Sequence, residues 1–378
     1  MFEAIRGLIA WTPLGLPAFL FVITVVVFFH ELGHFLVARW CGVKVDVFSV
    51  GFGKEIFGWN DRRGTRWKVS WLPIGGYVKF AGDASAASTP DHRAAERMSP
   101  AEREHTLLYK PVWQRAAVAA AGPLANFLLA ILLFTGLIYY NGHTVLAPVV
   151  GHVVEGSAAE AAGIKAGDRV TAIDGTAITD FEQMPQIIAV SGGKNLKLEL
   201  LRDGKSISVQ VTPRATRMRD ALGDMGTNMV IGVQPSRTAP ITTEYYSLPG
   251  AVGAATAETW NIMATTVKGI AQMVRGYGSA DQFRGPVGIA KMTRQVAVFG
   301  FMALLQLVAV LSVSIGLANL FPIPLLDGGH LLYYACEAVL GRPLGERAQD
   351  VGFRLGLVLV LGLVLLTTWN DLARLNLF

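Results

Sequence analysis

Charged residues are scarce in this sequence: Asp, Glu, Lys and Arg together make up 16% of its 378 residues. Soluble globular domains carry about 25% charged residues, so the shortage argues against an enzyme that is soluble throughout. Hydrophobic residues make up 52%, which excludes intrinsic disorder because disordered chains have little apolar surface to bury. With a mean hydropathy of +0.42, the composition indicates an integral membrane protein.

Cysteine is scarcer still, with Cys41 and Cys336 as the two examples. Two cysteines give neither a disulfide framework nor a cysteine-rich metal site. The net charge of +5 is typical of a membrane protein with basic cytoplasmic loops. We therefore expect the lipid bilayer, and no nucleic acid, as a partner.

Long apolar stretches are what the sequence has in abundance. A helix needs about 20 residues to cross the bilayer core, and four stretches qualify. They cover residues 16–40, 116–140, 296–326 and 351–369. Pro322 and Pro324 interrupt the third stretch, so its last part is predicted not to be regular helix.

Basic residues are unevenly distributed between the segments that connect these stretches. They are concentrated in residues 41–111, and Arg342 and Arg347 lie between the last two stretches. The positive-inside rule therefore predicts that both of these loops are cytoplasmic and that both termini are external. Residues 141–295 would then lie outside the cell membrane.

The external segment begins with a pattern of short strands and turns. Its predicted elements are a turn–strand–turn over 163–175, a short helix over 181–190, and a hairpin of 196–201 with 207–211 around Asp203-Gly204. A polar linker is predicted after Pro213, and then an amphipathic helix over 254–274. In the cytoplasmic loop, residues 66–80 are predicted to form a hairpin whose turn is Pro73-Ile74-Gly75-Gly76.

The motif His30-Glu31-Leu32-Gly33-His34 lies inside the first apolar stretch. Positions i and i+4 share a helix face, so both imidazoles can bind one zinc ion. Glu31 can then take a proton from the water that the zinc activates. A chance pattern in a structural cluster is the alternative, but ionisable groups at membrane depth are costly and mark function.

A catalytic zinc site needs a third protein ligand. Asp327 ends the third apolar stretch and is the carboxylate closest to membrane depth outside the first one. The prolines and glycines around it allow the chain to turn into a polar cavity. A loop aspartate that binds no metal is one alternative, and His330 as the third ligand is another.

These motifs together resemble those of the site-2 protease family of intramembrane zinc metalloproteases, in particular the bacterial regulator-of-sigma-E proteases. The family's H-E-x-x-H motif matches residues 30–34, and its N-x-x-P-x-P-x-L-D-G motif matches residues 319–328. Residues 122–127 and 285–289 also look like family signatures. The resemblance covers nearly the whole chain.

The resemblance implies roles for individual residues. One zinc ion per chain would be bound by His30, His34 and Asp327, with Glu31 as the general base. The implied substrate-binding residues are Asn319, Pro322, Pro324, Trp71, Gly75 and Gly76. For Asn319 the alternative is a hydrogen bond between helices.

The resemblance also implies a fold. We expect an α-helical polytopic membrane protein with four transmembrane helices, a reentrant β-hairpin at residues 66–80 and an inserted β-rich PDZ domain. The expected parts are residues 1–140 and 296–378 as the membrane protease, 149–213 as the PDZ domain, and 214–295 as an external linker with an amphipathic helix. The hairpin would pair with substrate backbone, or else only anchor its loop. The PDZ domain would bind a peptide C-terminus, or else only obstruct access.

The implied function is an endopeptidase of the bacterial inner membrane, multi-pass, with its PDZ domain on the periplasmic side. Its substrates would be single-span membrane proteins, such as an anti-sigma factor already cut outside, or remnant signal peptides. A non-proteolytic zinc-binding scaffold that recruits partners through the PDZ domain is the alternative, and Glu31 argues against it. An ion transporter would be expected to show inverted repeats, and none is visible.

Overall fold

The computed structural model describes residues 15–83, 98–219, 225–236, 238–276 and 284–374. The chain divides into two compact units. The helical unit comprises residues 1–133 and 285–369, and the β-rich unit comprises residues 134–284 and 370–378.

The elements are numbered in chain order. The described α-helices are α1 (Gly15–Trp40), α2 (Pro100–Glu104), α3 (Val112–Asn141), α4 (Ala158–Ala161), α5 (Gln183–Ala189), α6 (Leu248–Val274), α7 (Pro286–Ala297), α8 (Phe301–Leu320), α9 (Asp327–Leu340) and α10 (Glu346–Arg374). The described strands are β1 (Val45–Asn60), β2 (Arg66–Phe80), β3 (His143–Leu146), β4 (Val150–Val153), β5 (Arg169–Ile173), β6 (Thr176–Ala177), β7 (Leu196–Arg202), β8 (Lys205–Val211), β9 (Arg214–Arg219), β10 (Met225–Val230), β11 (Val233–Pro235) and β12 (Ile241–Glu244).

Within the part of the chain that the structure describes, four helices are long and apolar enough to cross a membrane, as the sequence predicts: α1, α3, α8 and residues 347–373 within α10. The third is shorter than its apolar stretch. Gly300, with φ of +99°, separates α8 from α7, so regular helix begins at Phe301. Residues 321–326 are not helical, which agrees with the prolines predicted to break this stretch.

The core of the helical unit forms where α1 packs against its neighbours. Val22 and Val26, one turn apart on α1, pack with Leu129 of α3 and with Leu307 and Leu311 of α8. All five side chains are less than 9% exposed. This packing fixes the face of α1 on which His30 and His34 also lie.

The sheet of the helical unit is larger than the predicted hairpin. Strand β2 pairs with β1, a strand that the sequence analysis did not predict, and Val45 lies opposite Phe80. Both strands bend sharply. As a result Val47 of β1 has two partners in β2, Lys79 near one end of β2 and Arg66 at the other. The predicted turn at 73–76 is therefore a bend within one strand. The apolar side chains at this end of the sheet are exposed, among them Phe57, Trp59, Trp71, Leu72 and Ile74.

The β-rich unit contains a sheet in the order β6-β5-β7-β8. The predicted hairpin is present as β7 and β8, and Asp203 and Gly204 form its turn with positive φ. The predicted short helix is α5. Helix α6 begins at Leu248, six residues before the predicted start at 254.

The predicted linker after Pro213 differs from the structure. Residues 214–244 contain strands β9 to β12, and β11 pairs with β4 while β12 pairs with β3. Ile231 is 2% exposed and joins the same apolar core as Val150, Val170 and Leu198. The polar composition was a poor guide here because these strands are stabilised by pairing with strands far away in sequence.

Candidate metal centre

Two histidines one turn apart on α1 form one side of the candidate metal centre. The Nε2 atoms of His30 and His34 lie 3.2 Å apart. Asp327, the first residue of α9, faces both: its Oδ2 is 3.2 Å from His30 Nε2, and its Oδ1 is 3.4 Å from His34 Nε2. The structure thus brings together the three predicted ligands from opposite ends of the sequence.

The dimensions of this cluster fit a zinc ion. Nitrogen and oxygen ligands about 2.0–2.1 Å from zinc lie about 3.3–3.4 Å from each other in a tetrahedral arrangement. The three separations in the cluster are 3.2, 3.2 and 3.4 Å. Asp327 Oδ2 is buried and accepts no hydrogen bond from the described residues, as expected of an oxygen reserved for a metal.

Asp327 reaches the histidines because the chain turns sharply before α9. Leu325, two residues earlier, has φ of +95°, which is unfavourable for a residue with a side chain. Such strain costs about 1–3 kcal/mol and persists only where the surroundings hold the backbone in place. The strained residue lines the same cavity as Asp327.

Helix α3 contacts the far side of each imidazole. His34 Nδ1–H donates to the carbonyl oxygen of Val118 at 2.8 Å. The side-chain amide of Asn126 lies 3.2 Å from His30 Nδ1. Both contacts leave Nε2 of each ring directed at Asp327, where a metal would bind.

Gly122 lies midway between these two contacts on α3. Residues 118, 122 and 126 are four apart and therefore share one helix face. A Cβ on Gly122 would lie 2.6 Å from His34 Cε1 and 2.8 Å from His30 Cε1. The glycine thus leaves the space that the two rings occupy.

Glu31 borders the cavity beside the three ligands. Its carboxylate faces the backbone N–H of Val78 in β2. Because backbone groups alternate along a strand, Gly76 presents its N–H and C=O groups to the same edge as Val78. Further along, the N–H and C=O groups of Phe80 are both hydrogen-bonded to Asp83. This edge of β2 borders the cavity, and β1 pairs with the opposite edge.

The other predicted site residues divide into two groups. Gly76, Asn319 and His330 line the cavity, although His330 is not part of the three-residue ligand cluster. Asn319 Nδ2 donates to the Ile315 carbonyl of its own helix at 3.1 Å. The lining does not include Trp71, Gly75, Pro322 or Pro324, and Trp71 is 72% exposed at the end of the sheet.

An ion pair that sequence reasoning did not find joins α3 to α9. Arg115 lines the cavity, and its Nη2 lies 2.5 Å from Glu337 Oε1, with both side chains less than 15% exposed. The Arg115 guanidinium also stacks over the Tyr334 ring. A lone arginine at a helix start gives no sequence signal for a partner more than two hundred residues away.

Comparison with known proteins agrees with this geometry. A family model described as peptidase family M50 matches residues 18–363. A Rhizobium meliloti protein named as a candidate zinc metalloprotease is 46% identical, over 94% of this chain and 96% of its own length. The protein named metalloprotease MmpA of Caulobacter vibrioides is 39% identical, over 96% of each chain.

Proposed function

This chain belongs to peptidase family M50 and is a membrane zinc metalloprotease, and we propose that it cleaves peptide bonds within transmembrane segments. The observation that carries this proposal is the convergence of His30, His34 and Asp327 with Glu31 at one cavity. Three of these side chains, His30, Glu31 and His34, belong to α1, which is apolar enough to cross the bilayer. Hydrolysis would therefore take place at membrane depth.

The proposed chemistry divides between the metal and the protein. When bound by His30, His34 and Asp327, one zinc ion would act as a Lewis acid and make water nucleophilic at neutral pH. Glu31 would accept the proton of the attacking water and deliver it to the leaving amine. The backbone N–H of Val78 would hold the Glu31 carboxylate in place between these two transfers.

The edge of β2 offers a way to bind an unwound substrate. A transmembrane helix must open locally before a peptide bond can be cut, which frees backbone groups that need new partners in the membrane. Strand addition along residues 76–78 would provide them. The substrate backbone would then run past Glu31, because Val78 would lie next to both the substrate strand and the Glu31 carboxylate. In this view the exposed apolar end of the sheet re-enters the bilayer.

The substrates that we propose are single-span membrane proteins of the bacterial inner membrane, either anti-sigma factors already cut outside or remnant signal peptides. A zinc-binding scaffold would need the same ligands but not Glu31. We place residues 41–111 and the segment that contains Arg342 and Arg347 in the cytoplasm, and the β-rich unit with both termini outside.

We propose that residues 149–213 form a PDZ domain that binds a peptide C-terminus or limits access to the cavity. Support comes from the hairpin of β7 and β8, the short helix α5 and the turn at Gly167-Asp168. The pairing of β4 with β11 adds residues up to 235 to the same body.

The decisive experiment compares the wild type with Glu31→Gln in liposomes that contain a tagged single-span substrate. Glutamine keeps the size of the side chain but cannot accept the proton. We expect zinc content to be unchanged and cleavage to fall about 10²–10⁴-fold. Glu55→Gln, on the distant part of β1, is the matched control and should cleave normally. Wild-type cleavage by Glu31→Gln would refute the proposed mechanism and favour a scaffold.

A further inference from the structure

Asn126 is completely buried in the middle of α3, inside a stretch with no charged residue. Its side-chain Nδ2 lies 3.2 Å from His30 Nδ1, while its Oδ1 is buried and has no partner among the residues that the structure describes. A buried amide oxygen without a hydrogen bond loses its interactions with water and gains none in the protein, which is unfavourable. In this orientation the amide therefore leaves its hydrogen-bond acceptor, Oδ1, unused.

The tautomer of His30 determines which atom of the Asn126 amide must face its ring. If Asn126 Nδ2–H donates to His30 Nδ1, the ring proton must be on Nε2, which points at Asp327 Oδ2 3.2 Å away. An Nε2 that carries a proton cannot bind a metal ion. Metal binding through Nε2 therefore requires a proton on Nδ1, and that N–H needs an acceptor.

A half-turn of the amide supplies the acceptor. The nitrogen and oxygen of an asparagine amide occupy nearly the same volume, so rotation about the terminal side-chain bond exchanges them without disturbing the packing. The rotated amide places Oδ1 next to His30 Nδ1, where it can accept the hydrogen bond that the metal-binding tautomer donates. His34 already shows the equivalent arrangement, since its Nδ1–H donates to the Val118 carbonyl.

Packing around Asn126 fixes the position of its side chain. Ser312 Oγ of α8 donates to the backbone carbonyl of Asn126 at 2.9 Å. A Cβ on Gly316, one turn further along α8, would lie 3.1 Å from Asn126 Cβ. Helix α8 therefore contacts Asn126 from behind, and His30 is the partner that the described residues give its side-chain amide.

We propose that Asn126 is a positioning residue for the metal centre: its Oδ1 accepts a hydrogen bond from His30 Nδ1–H and so keeps Nε2 free to bind zinc. This inference rests on the proposed zinc ligands. It adds that a neutral amide on a neighbouring helix selects the tautomer of His30. The amide also retains a donor, so the same side chain serves the metal-free tautomer.

The test measures zinc affinity of the purified full-length protein by competition with a chelator. Asn126→Leu keeps the volume and removes the acceptor, so we expect affinity to fall about 10–100-fold. Asn126→Asp keeps two acceptors and no donor, so we expect it to bind zinc within about threefold of the wild type. Ser314→Ala on the same helix α8, whose hydroxyl donates to the Val310 carbonyl of its own helix, is the matched control and should bind zinc normally.

Cobalt absorption spectra and unfolding temperatures of the zinc-free proteins complete the test. A native unfolding temperature with weakened cobalt binding in Asn126→Leu would assign the loss to the metal centre. Wild-type affinity in Asn126→Leu, or a loss in a folded Asn126→Asp equal to that in Asn126→Leu, would overturn the inference. A wild-type protein that binds no zinc would instead refute the proposed function.

Discussion

Asp168 in the β-rich unit and the cluster around Asp327 in the helical unit differ in how their buried oxygens are paired. In the β-rich unit both oxygens of Asp168 are paired: Arg202 donates to each, and the Lys165 N–H donates to Oδ2. In the helical unit Asp327 Oδ2 and Asn126 Oδ1 are buried without a donor from the described residues. The paired oxygens of Asp168 stabilise a turn, whereas the unpaired Asp327 Oδ2 lies beside two imidazoles, where a metal ligand is expected.

Glycine shows the same contrast. Gly122 in α3 is needed because two imidazole rings occupy the space of its missing side chain. Gly204 in the hairpin of the β-rich unit is needed because its φ is +77°. Substitutions in the helical unit should therefore change metal binding, and substitutions in the β-rich unit should change stability.

The largest effect should come from Asp327→Asn. The amide removes the negative charge from the ligand cluster, so we expect cleavage and zinc content to fall to near background. His330→Ala is the matched variant, because His330 lines the cavity outside the cluster. Metal analysis of both proteins decides the assignment. If Asp327→Asn keeps its full zinc content and His330→Ala loses zinc, the third ligand is His330 and not Asp327.

Gly122→Ala should have the next largest effect. The new methyl group would overlap the His30 and His34 rings, so we expect zinc affinity to fall at least tenfold while the helix itself persists. Gly136→Ala is the control in the same helix, because a Cβ there would meet no described atom within 4 Å. Alanine favours helix over glycine by about 1 kcal/mol, so the control should lose neither stability nor zinc. Equal zinc affinity in Gly122→Ala and Gly136→Ala would contradict the view that Gly122 leaves the space that the two rings occupy.

Asp168→Asn should reduce stability without changing zinc affinity. Burial acts to raise the pKa of Asp168, but hydrogen bonds from Arg202 and the Lys165 N–H outweigh burial and lower it below the ordinary 3.8. The folded carboxylate thus binds protons more weakly than the unfolded one. Its contribution, about 1.5–3 kcal/mol for charged hydrogen bonds, is complete above pH 3.8 and is lost as the pH falls below it.

Hydrogen exchange in β5 and β7 of the full-length protein measures this effect. The variant should exchange faster than the wild type at pH 7, and the difference should shrink at pH 3. A difference that stays constant with pH would show that the carboxylate charge is not involved.

The smallest effect should come from Gly204→Ala. Alanine is strained at positive φ, so we expect a loss of about 1 kcal/mol, confined to the hairpin of β7 and β8. Gly253→Ala in α6 is the control, because that glycine is helical and a Cβ there would approach no atom of the described chain within 4 Å. In the full-length protein, hydrogen exchange should become faster in β7 and β8 of Gly204→Ala and slower in α6 of Gly253→Ala.

Sequence alone predicts the parts of this protein that depend on local spacing. Four apolar stretches predict four helices, and the pair at positions 30 and 34 predicts one shared helix face. Pairing between distant segments has no such local signal, so β1 and the strands after Pro213 were not predicted. The Asn126 contact was missed for a similar reason: a single amide in an apolar helix equally suits packing between helices.

The distance in sequence between the ligands has a consequence for biosynthesis. His30 and His34 enter the membrane with the first helix, whereas Asp327 leaves the ribosome only after most of the chain has been translated. Every shorter nascent chain therefore lacks a complete cluster. If His30, His34 and Asp327 bind the zinc ion as proposed, we expect no hydrolysis during membrane insertion, when other unfolded membrane segments are close by, and none by a prematurely terminated product without α9.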